Sequence, residues 1–314
     1  EINLAADLLR PFTGLEALPL HGGLKLEEQS RIFRPGRRRR AILATNVAET
    51  SITVPGIRFV IDTGLARVRR FLTRTQVDRL QIERVSRASA DQRAGRCGRL
   101  GPGVCVRLYA EEDYFDRARF TDPEIKRTSL ASVILQMKDL GLGAVEAFPF
   151  LDPPFPRAVH RGYDELAELG ALDDRRRLTD AGRRMARLPL EPRMSRMLLA
   201  AAERDALAEA LIIVAALDLR DPRERPFDKR DEADAAHRRF LDPDSDFQAW
   251  LNLWTWLKTA RERLPSNNQF RKFCRAHFLA YRRVREWFSV HEQLAETMAD
   301  MGFRPNREPA TYED

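Results

Sequence analysis

The chain has 314 residues, 43% of them hydrophobic and 8% aromatic, a globular composition that excludes a disordered polymer. No run approaches the roughly 18 apolar residues of a membrane span, and three cysteines without CxxC spacing argue against zinc or a disulfide framework and fit a reducing, cytoplasmic compartment. The net charge of +7 is uneven: residues 1–124 hold 22 Lys and Arg against 16 Asp and Glu, with Lys25 their only lysine, an arginine excess that suits contact with a polyanion.

The length predicts two or three domains. The opening Glu1-Ile2-Asn3 has no initiator Met or signal core, so the chain is expected to be a piece of something longer. Residues 18–20 read as a short strand and residues 26–33 have helical spacing. Residues 41–44, 58–61 and 104–109 read as near-continuous apolar strands. Strand and helix alternate, which predicts a parallel α/β sheet with ligands at the carboxyl ends of its strands. Thr45-Asn46 and Asp62-Thr63-Gly64 sit at two such ends.

Residues 66–72 and 76–85 read as a hairpin turning at Thr73-Arg74-Thr75, with arginines along it from Arg67 to Arg84. Such a hairpin suits a phosphate backbone, or is an exposed soluble face. Arg37 to Arg40 add charge to a loop on the same two readings. Gln92-Arg93-Ala94-Gly95-Arg96-Cys97-Gly98-Arg99 follows. Read as a helix, it puts Arg93, Arg96 and Arg99 on one face. Guanidinium donors match phosphate oxygens, and glycine allows close approach; the alternative is a solvated basic helix.

From Thr121 the pattern turns helical. Residues 129–140 form an amphipathic stretch ended by Gly141, and residues 158–169 a second, stopped by Gly170. Residues 171–178 fit a short hairpin and 179–188 a third helix, which together suggest a winged helix; that unit either docks on nucleic acid or is scaffolding. Beyond Glu191 everything reads as helix: residues 198–219, then 246–259 with Trp250, Trp254 and Trp256, then one long helix over 268–290. Aromatics at helical spacing are expected in a core.

Three blocks carry a family resemblance: Leu18-Pro19-Leu20-His21-Gly22-Gly23-Leu24, Ala44-Thr45-Asn46-Val47-Ala48-Glu49-Thr50-Ser51-Ile52-Thr53, and the Gln92–Arg99 run. In order and spacing they resemble motifs IV, V and VI of the DEAH-box helicases. Phe270-Arg271-Lys272-Phe273-Cys274-Arg275 and Arg283-Val284-Arg285-Glu286-Trp287 resemble the bacterial ATP-dependent RNA helicases more than the eukaryotic splicing branch. The resemblance covers nearly the whole chain.

It implies a RecA-like parallel-sheet domain of the P-loop NTPase type, with a β-hairpin, over residues 1–122. A winged helix would occupy 123–190, an all-α, ratchet-like helical bundle 191–303, and residues 304–314 would lead towards an OB-fold. The RecA-like domain would be the second of two. The sequence contains no GxxxxGK[ST] loop and no Asp-Glu-Ala-His box, so ATP and Mg²⁺ would be held mainly by a first RecA-like domain, and this chain alone would not hydrolyse ATP. No metal ligands are expected here.

By the same resemblance Arg96 and Arg99 are arginine fingers on the γ-phosphate, with Gln92 beside them. Arg93 makes structural pairs with acidic neighbours. Ser51 and Thr53 lie near the ribose, and Phe33 stacks on the base. Pro55 stands where many relatives carry an acidic ribose contact. Gly22, Thr45 and Asn46 hold RNA backbone phosphates, on single strands or duplexes with an overhang, including messenger RNA on ribosomes. One loop would thus sense both RNA and nucleotide. A non-catalytic RNA-binding or protein-docking module, and a DNA helicase of the same superfamily, share these motifs, because backbone contacts carry little sugar identity.

Overall fold

The computed structural model describes residues 2–310 except Gly23, Lys25, Pro35, Arg37, Ser51 and residues 73–76. It divides into two compact units, Glu1–Ser129 and Leu130–Asp314. The first runs α1 (Ile2–Leu9), β1 (Leu15–Leu20), α2 (Leu26–Ser30) with a 3-10 turn (Arg31–Phe33), β2 (Arg39–Ala44) and α3 (Val47–Thr50). It continues through β3 (Phe59–Asp62), β4 (Leu65–Leu72), β5 (Val77–Arg84), α4 (Arg87–Ala94), β6 (Val104–Arg107) and α5 (Glu111–Asp116).

The apolar runs become parallel pairs. β1 lies along β2, with Leu18 opposite Ile42 and Leu20 opposite Ala44; β3 lies along β6, with Val60 opposite Cys105. Leu18, Leu20 and Ile32 form a buried cluster against which Ile42, Val47, Ala48, Ile52 and Val54 pack. Among the described residues the parallel strands do not join into one sheet; they form two separate pairs. Exposure alternates along β3 and β6, leaving Phe59, Ile61, Val104 and Val106 open to solvent.

β4 and β5 pair antiparallel from Leu65↔Arg84 to Leu72↔Val77; the predicted turn residues 73–75 lie outside the described residues. Part of the hairpin's charge is spent internally. Arg70 bonds both oxygens of Glu83, at 2.7 and 2.9 Å, and reaches Asp122 at 3.3 Å.

The second unit is built of α6 (Ala131–Asp139), α7 (Pro156–Glu168), α8 (Asp180–Ala186), α9 (Pro192–Ala202), α10 (Leu207–Leu217), α11 (Arg230–Arg238), α12 (Asp246–Arg263), α13 (Asn267–Ala276) and α14 (Tyr281–Asp300). α6 and α7 end before Gly141 and Gly170, whose φ of +68° and +70° suits the left-handed close of a helix. Thr179 caps α8 by accepting the Gly182 amide at 3.0 Å. Between α7 and α8 the expected hairpin is reduced to a single bridge, Leu172↔Leu178.

Two helices read as continuous are broken. The stretch 198–219 is split between α9 and α10, with Asp205 at φ +52°. The stretch 268–290 is split between α13 and α14: Phe278 turns to φ +54°, Leu279 forms a bridge with Arg223, and the Phe278 and Pro222 carbonyls accept the Glu224 and Ala280 amides. Tertiary backbone pairing replaces a turn of helix there. The aromatics pack inward. Trp287 is 1% exposed, its ring 5.5 Å from Trp250 and 5.0 Å from Trp254. Asn306 accepts the Ala208 amide at 2.7 Å and donates to Glu209, so the described part of the tail covers the first turn of α10 and satisfies an orphan donor. No described helix is long and apolar enough to cross a membrane.

Candidate functional site

β1 and β2 end side by side, and the Thr45 amide ties the ends together by donating to the Leu20 carbonyl at 3.2 Å. Gly22, Thr45 and Asn46, all exposed, therefore sit at the carboxyl ends of one parallel pair, where α/β sheets take their ligands. The Thr45 and Asn46 carbonyls accept the Ala48 and Glu49 amides at 3.2 and 3.0 Å, which starts α3 directly after them.

α4 begins at Ser86, whose hydroxyl accepts the Ser89 amide at 3.2 Å. It ends at Ala94, with the Gly95 amide on the Asp91 carbonyl at 2.8 Å. The helix expected over residues 93–99 is therefore not formed, and Arg96 and Arg99 do not share a helical face with Arg93. Two glycines, weak helix formers, fall in the stretch, and the arginines find tertiary partners instead. Arg96 Nη2 donates to the Glu49 carbonyl, and Arg99 Nη1 donates to Thr53 Oγ1. Both guanidinium groups are thereby tethered to the segment that follows Thr45 and Asn46. Arg96 Nη1 is buried with no hydrogen-bond partner among the described residues, while Arg99 and Gln92 are exposed.

Arg93 does pair with acidic neighbours. Its Nε donates to Glu49 Oε2 at 3.0 Å, and its Nη1 donates to Asp62 Oδ1 at 2.8 Å and to the Leu65 carbonyl at 3.1 Å. Glu49 also accepts the Ser89 hydroxyl. Asp62 is 2% exposed and takes the Gly64 amide and the Tyr109 hydroxyl, each at 3.0 Å. Burial pushes its carboxyl up, but the hydrogen bonds from Arg93 and Gly64, with the Arg93 charge and Tyr109, hold it below the usual carboxylate range. Burial and the bond to Asp62 push the Tyr109 phenol to about 12. Gly64, at φ +69°, is required where it stands: a Cβ would come within 2.6 Å of Tyr109 and Arg117. Arg117 closes this layer, lying 3.9 Å over the Tyr109 ring and donating to the Gly64 carbonyl at 2.8 Å.

Thr53 is exposed between Ile52 and Val54, which pack on the Leu18, Leu20 and Ile32 cluster. Phe33, 49% exposed, follows Ile32 of that cluster, so the residues expected near ribose and base hang from one core. Ser51 lies outside the described residues. Sequence reasoning assigned no role to Glu49, Asp62, Tyr109 or Arg117. Asp62 was signalled by its place at a strand end; Tyr109 and Arg117 had no local signal. Among the described residues no group of three His, Cys, Asp or Glu side chains is placed to hold a metal ion.

The helicase conserved C-terminal domain matches residues 1–101. The winged-helix and ratchet-like parts of the helicase associated domain HA2 match residues 164–190 and 191–280. The whole chain is 49% identical to ATP-dependent RNA helicase HrpA of Escherichia coli (strain K12), covering 25% of that protein. Over 95% of its length it is 50% identical to the HrpA homolog of Haemophilus influenzae, covering 23%, and 37% identical to the probable ATP-dependent RNA helicase DHX34 of Homo sapiens, covering 26%. The chain thus spans about a quarter of the length of these relatives. With three helicase domain matches in sequence order and about half its residues shared with HrpA from end to end, the chain belongs to the DEAH-box helicases as an HrpA-like C-terminal region.

Proposed function

We propose that this chain is the part of a cytoplasmic ATP-dependent RNA helicase that supplies cations to a nucleotide seated on another domain and grips the RNA backbone. On this reading residues 1–122 are the second RecA-like domain, 123–190 the winged helix, 191–303 the ratchet-like bundle, and 304–314 the lead into an OB-fold. A first RecA-like domain in the full protein holds ATP and Mg²⁺.

The observation that carries the reading is the tether of Arg96 and Arg99 to residues 49–53, immediately after Thr45 and Asn46. Arg96 Nη1, buried and without a partner among the described residues, is the kind of orphan donor that an anion satisfies. Bound ATP supplies the reactive phosphoanhydride. Arg96 and Arg99 neutralise charge at its terminal phosphate, Gln92 lies beside them, Thr53 and Ser51 meet the ribose, and Phe33 stacks on the base with little base preference. Gly22, Thr45 and Asn46 donate to backbone phosphates, including those of messenger RNA on ribosomes. The carbonyl of Glu49 holds Arg96 while the amide of Glu49 bonds the Asn46 carbonyl, so a shift of the RNA grip reaches the finger through one residue. Without the first domain the chain does not hydrolyse ATP.

Arg96→Ala in the full-length enzyme is the test. An arginine finger contributes about 10³–10⁵ in rate, so RNA-stimulated ATP turnover should collapse while RNA affinity at low salt persists. Lost RNA affinity with surviving turnover would instead make the chain a binding module. Running RNA and DNA substrates side by side decides between the two polymers.

A further inference from the structure

We infer that the second unit carries a separate binding site for RNA backbone phosphates, in a cleft between α6, the 173–178 turn and α8. The inference rests on the RNA reading above and adds a contact surface that the motif residues do not include. The cleft has a volume of about 600 Å³ and is lined by Lys138, Asp173, Arg176, Arg177, Leu178 and Arg183. Four cations and one carboxylate form its wall. Sites for small organic ligands are lined mainly by apolar side chains; this one suits an extended anion.

The turn that presents these groups is built to hold them. Asp173 Oδ1 accepts the Arg175 and Arg177 amides at 2.9 and 2.8 Å, and its Oδ2 accepts Arg177 Nε at 2.9 Å. The carboxylate is thus committed to closing the turn. Arg176 stands at φ +56°, a left-handed backbone with a cost that glycine would avoid. The side chain carried on this costly backbone is a guanidinium. It lies 4.2 Å over the ring of Tyr163, which is 4% exposed, and it pairs with Glu146 at 3.7 Å.

The other cations are held by neighbours as well. Arg183 donates to the Leu178 carbonyl at 3.2 Å and to Asp180 at 3.0 Å, which leaves further donors of its five. Lys138 lies 5.7 Å from the Tyr163 ring and has no carboxylate within ion-pair distance among the described residues. Three guanidinium forks, each paired with one carboxylate yet keeping further donors, stand beside an ammonium with no carboxylate partner among the described residues, and such groups match phosphate oxygens along a backbone.

The test uses the full-length protein and a labelled RNA duplex with a single-stranded overhang, with affinity followed against salt. Each lost single-strand phosphate contact should lower the magnitude of the log–log salt slope by about 0.7, which at 0.1 M salt is about fivefold in affinity. Lys138→Gln with Arg183→Gln should therefore weaken binding by up to about 25-fold, and flatten the slope by about 1.4, on the same relation. Arg176→Gly separates structure from contact. Glycine relieves the left-handed backbone and so offsets the lost packing on Tyr163; melting should change little while affinity falls about fivefold.

The paired control, Arg204→Gln with Arg238→Gln, removes the same charge from exposed positions of the unit outside the cleft. An equal fall in that control, or unchanged affinity and slope in the cleft variants, overturns the inference. So does competition by polyglutamate for the cleft with RNA binding unaffected by the variants, which would assign the surface to an acidic protein. Wild-type protein that binds no RNA would overturn this inference and the RNA half of the proposed function together. Normal wild-type binding with insensitive cleft variants removes this inference alone.

Discussion

Asp62→Asn removes one charge from the centre of the arginine network while keeping its shape. Oδ1 persists as an amide oxygen for Gly64 and Arg93, and the Tyr109 hydroxyl can rotate to accept from the new amide nitrogen. What disappears is the negative charge facing Arg93, whose side chain is 15% exposed. Breaking a buried pair costs about 3–5 kcal/mol. Arg93 retains Glu49 at 3.0 Å, so the loss should fall near or below the lower end, about 2–3 kcal/mol.

Asp62 is held below its usual range in the folded state. Its stabilisation is therefore complete above the unfolded carboxylate value, about 3.9, and disappears as pH falls through the lower folded value. The gap between wild type and Asp62→Asn, read by urea unfolding of the full-length protein at pH 7 and then in acid, should narrow below about pH 4. Arg93→Met should cost less in the Asp62→Asn background than in the wild type, since the two changes share one interaction, with the remaining cost coming from Glu49 left without its pair. ATP turnover should fall more than the apparent ATP affinity, because Glu49 braces Arg93 with its carboxylate and Arg96 with its carbonyl. Equal stability at pH 7, or additive losses in the double variant, would refute the network as described.

Two further outcomes test the second unit. Trp287→Ala deletes a ring that is 1% exposed and donates to the Ile212 carbonyl at 3.0 Å; thermal melting should register about 3–5 kcal/mol of destabilisation, and a loss below about 1 kcal/mol would contradict the packing. Cys274 is fully buried, and burial pushes its thiol to about 12. Mass-spectrometric thiol labelling at pH 8 should modify it last, at the rate of unfolding, well after the half-buried Cys105; early labelling would contradict its burial.

Much of this protein was legible before folding because its signals are local. The apolar runs ending at Ala44, Ile61 and Val106 act through side chains that must leave water wherever the chain goes. Gly141 and Gly170 stop helices through their own backbone freedom, and the arginine-rich motif stands out by composition alone. The breaks in the long helical stretches were not legible. Residues 277–280 contain no glycine or proline; the helix stops there because Leu279 pairs with Arg223, more than fifty residues away in sequence.

The same division runs through the site. The sequence supplied Arg93, Arg96 and Arg99 and, by spacing, laid them on one helical face. Folding separated them: Arg93 turned inward to Asp62 and Glu49, while Arg96 and Arg99 left the helix for the Glu49 carbonyl and the Thr53 hydroxyl. A residue's chemistry travels with it, but a buried carboxylate or an orphan carbonyl exists only once distant segments meet. The kinds of groups at the site were therefore written in the chain, and their division into brace and reach was decided by tertiary contact.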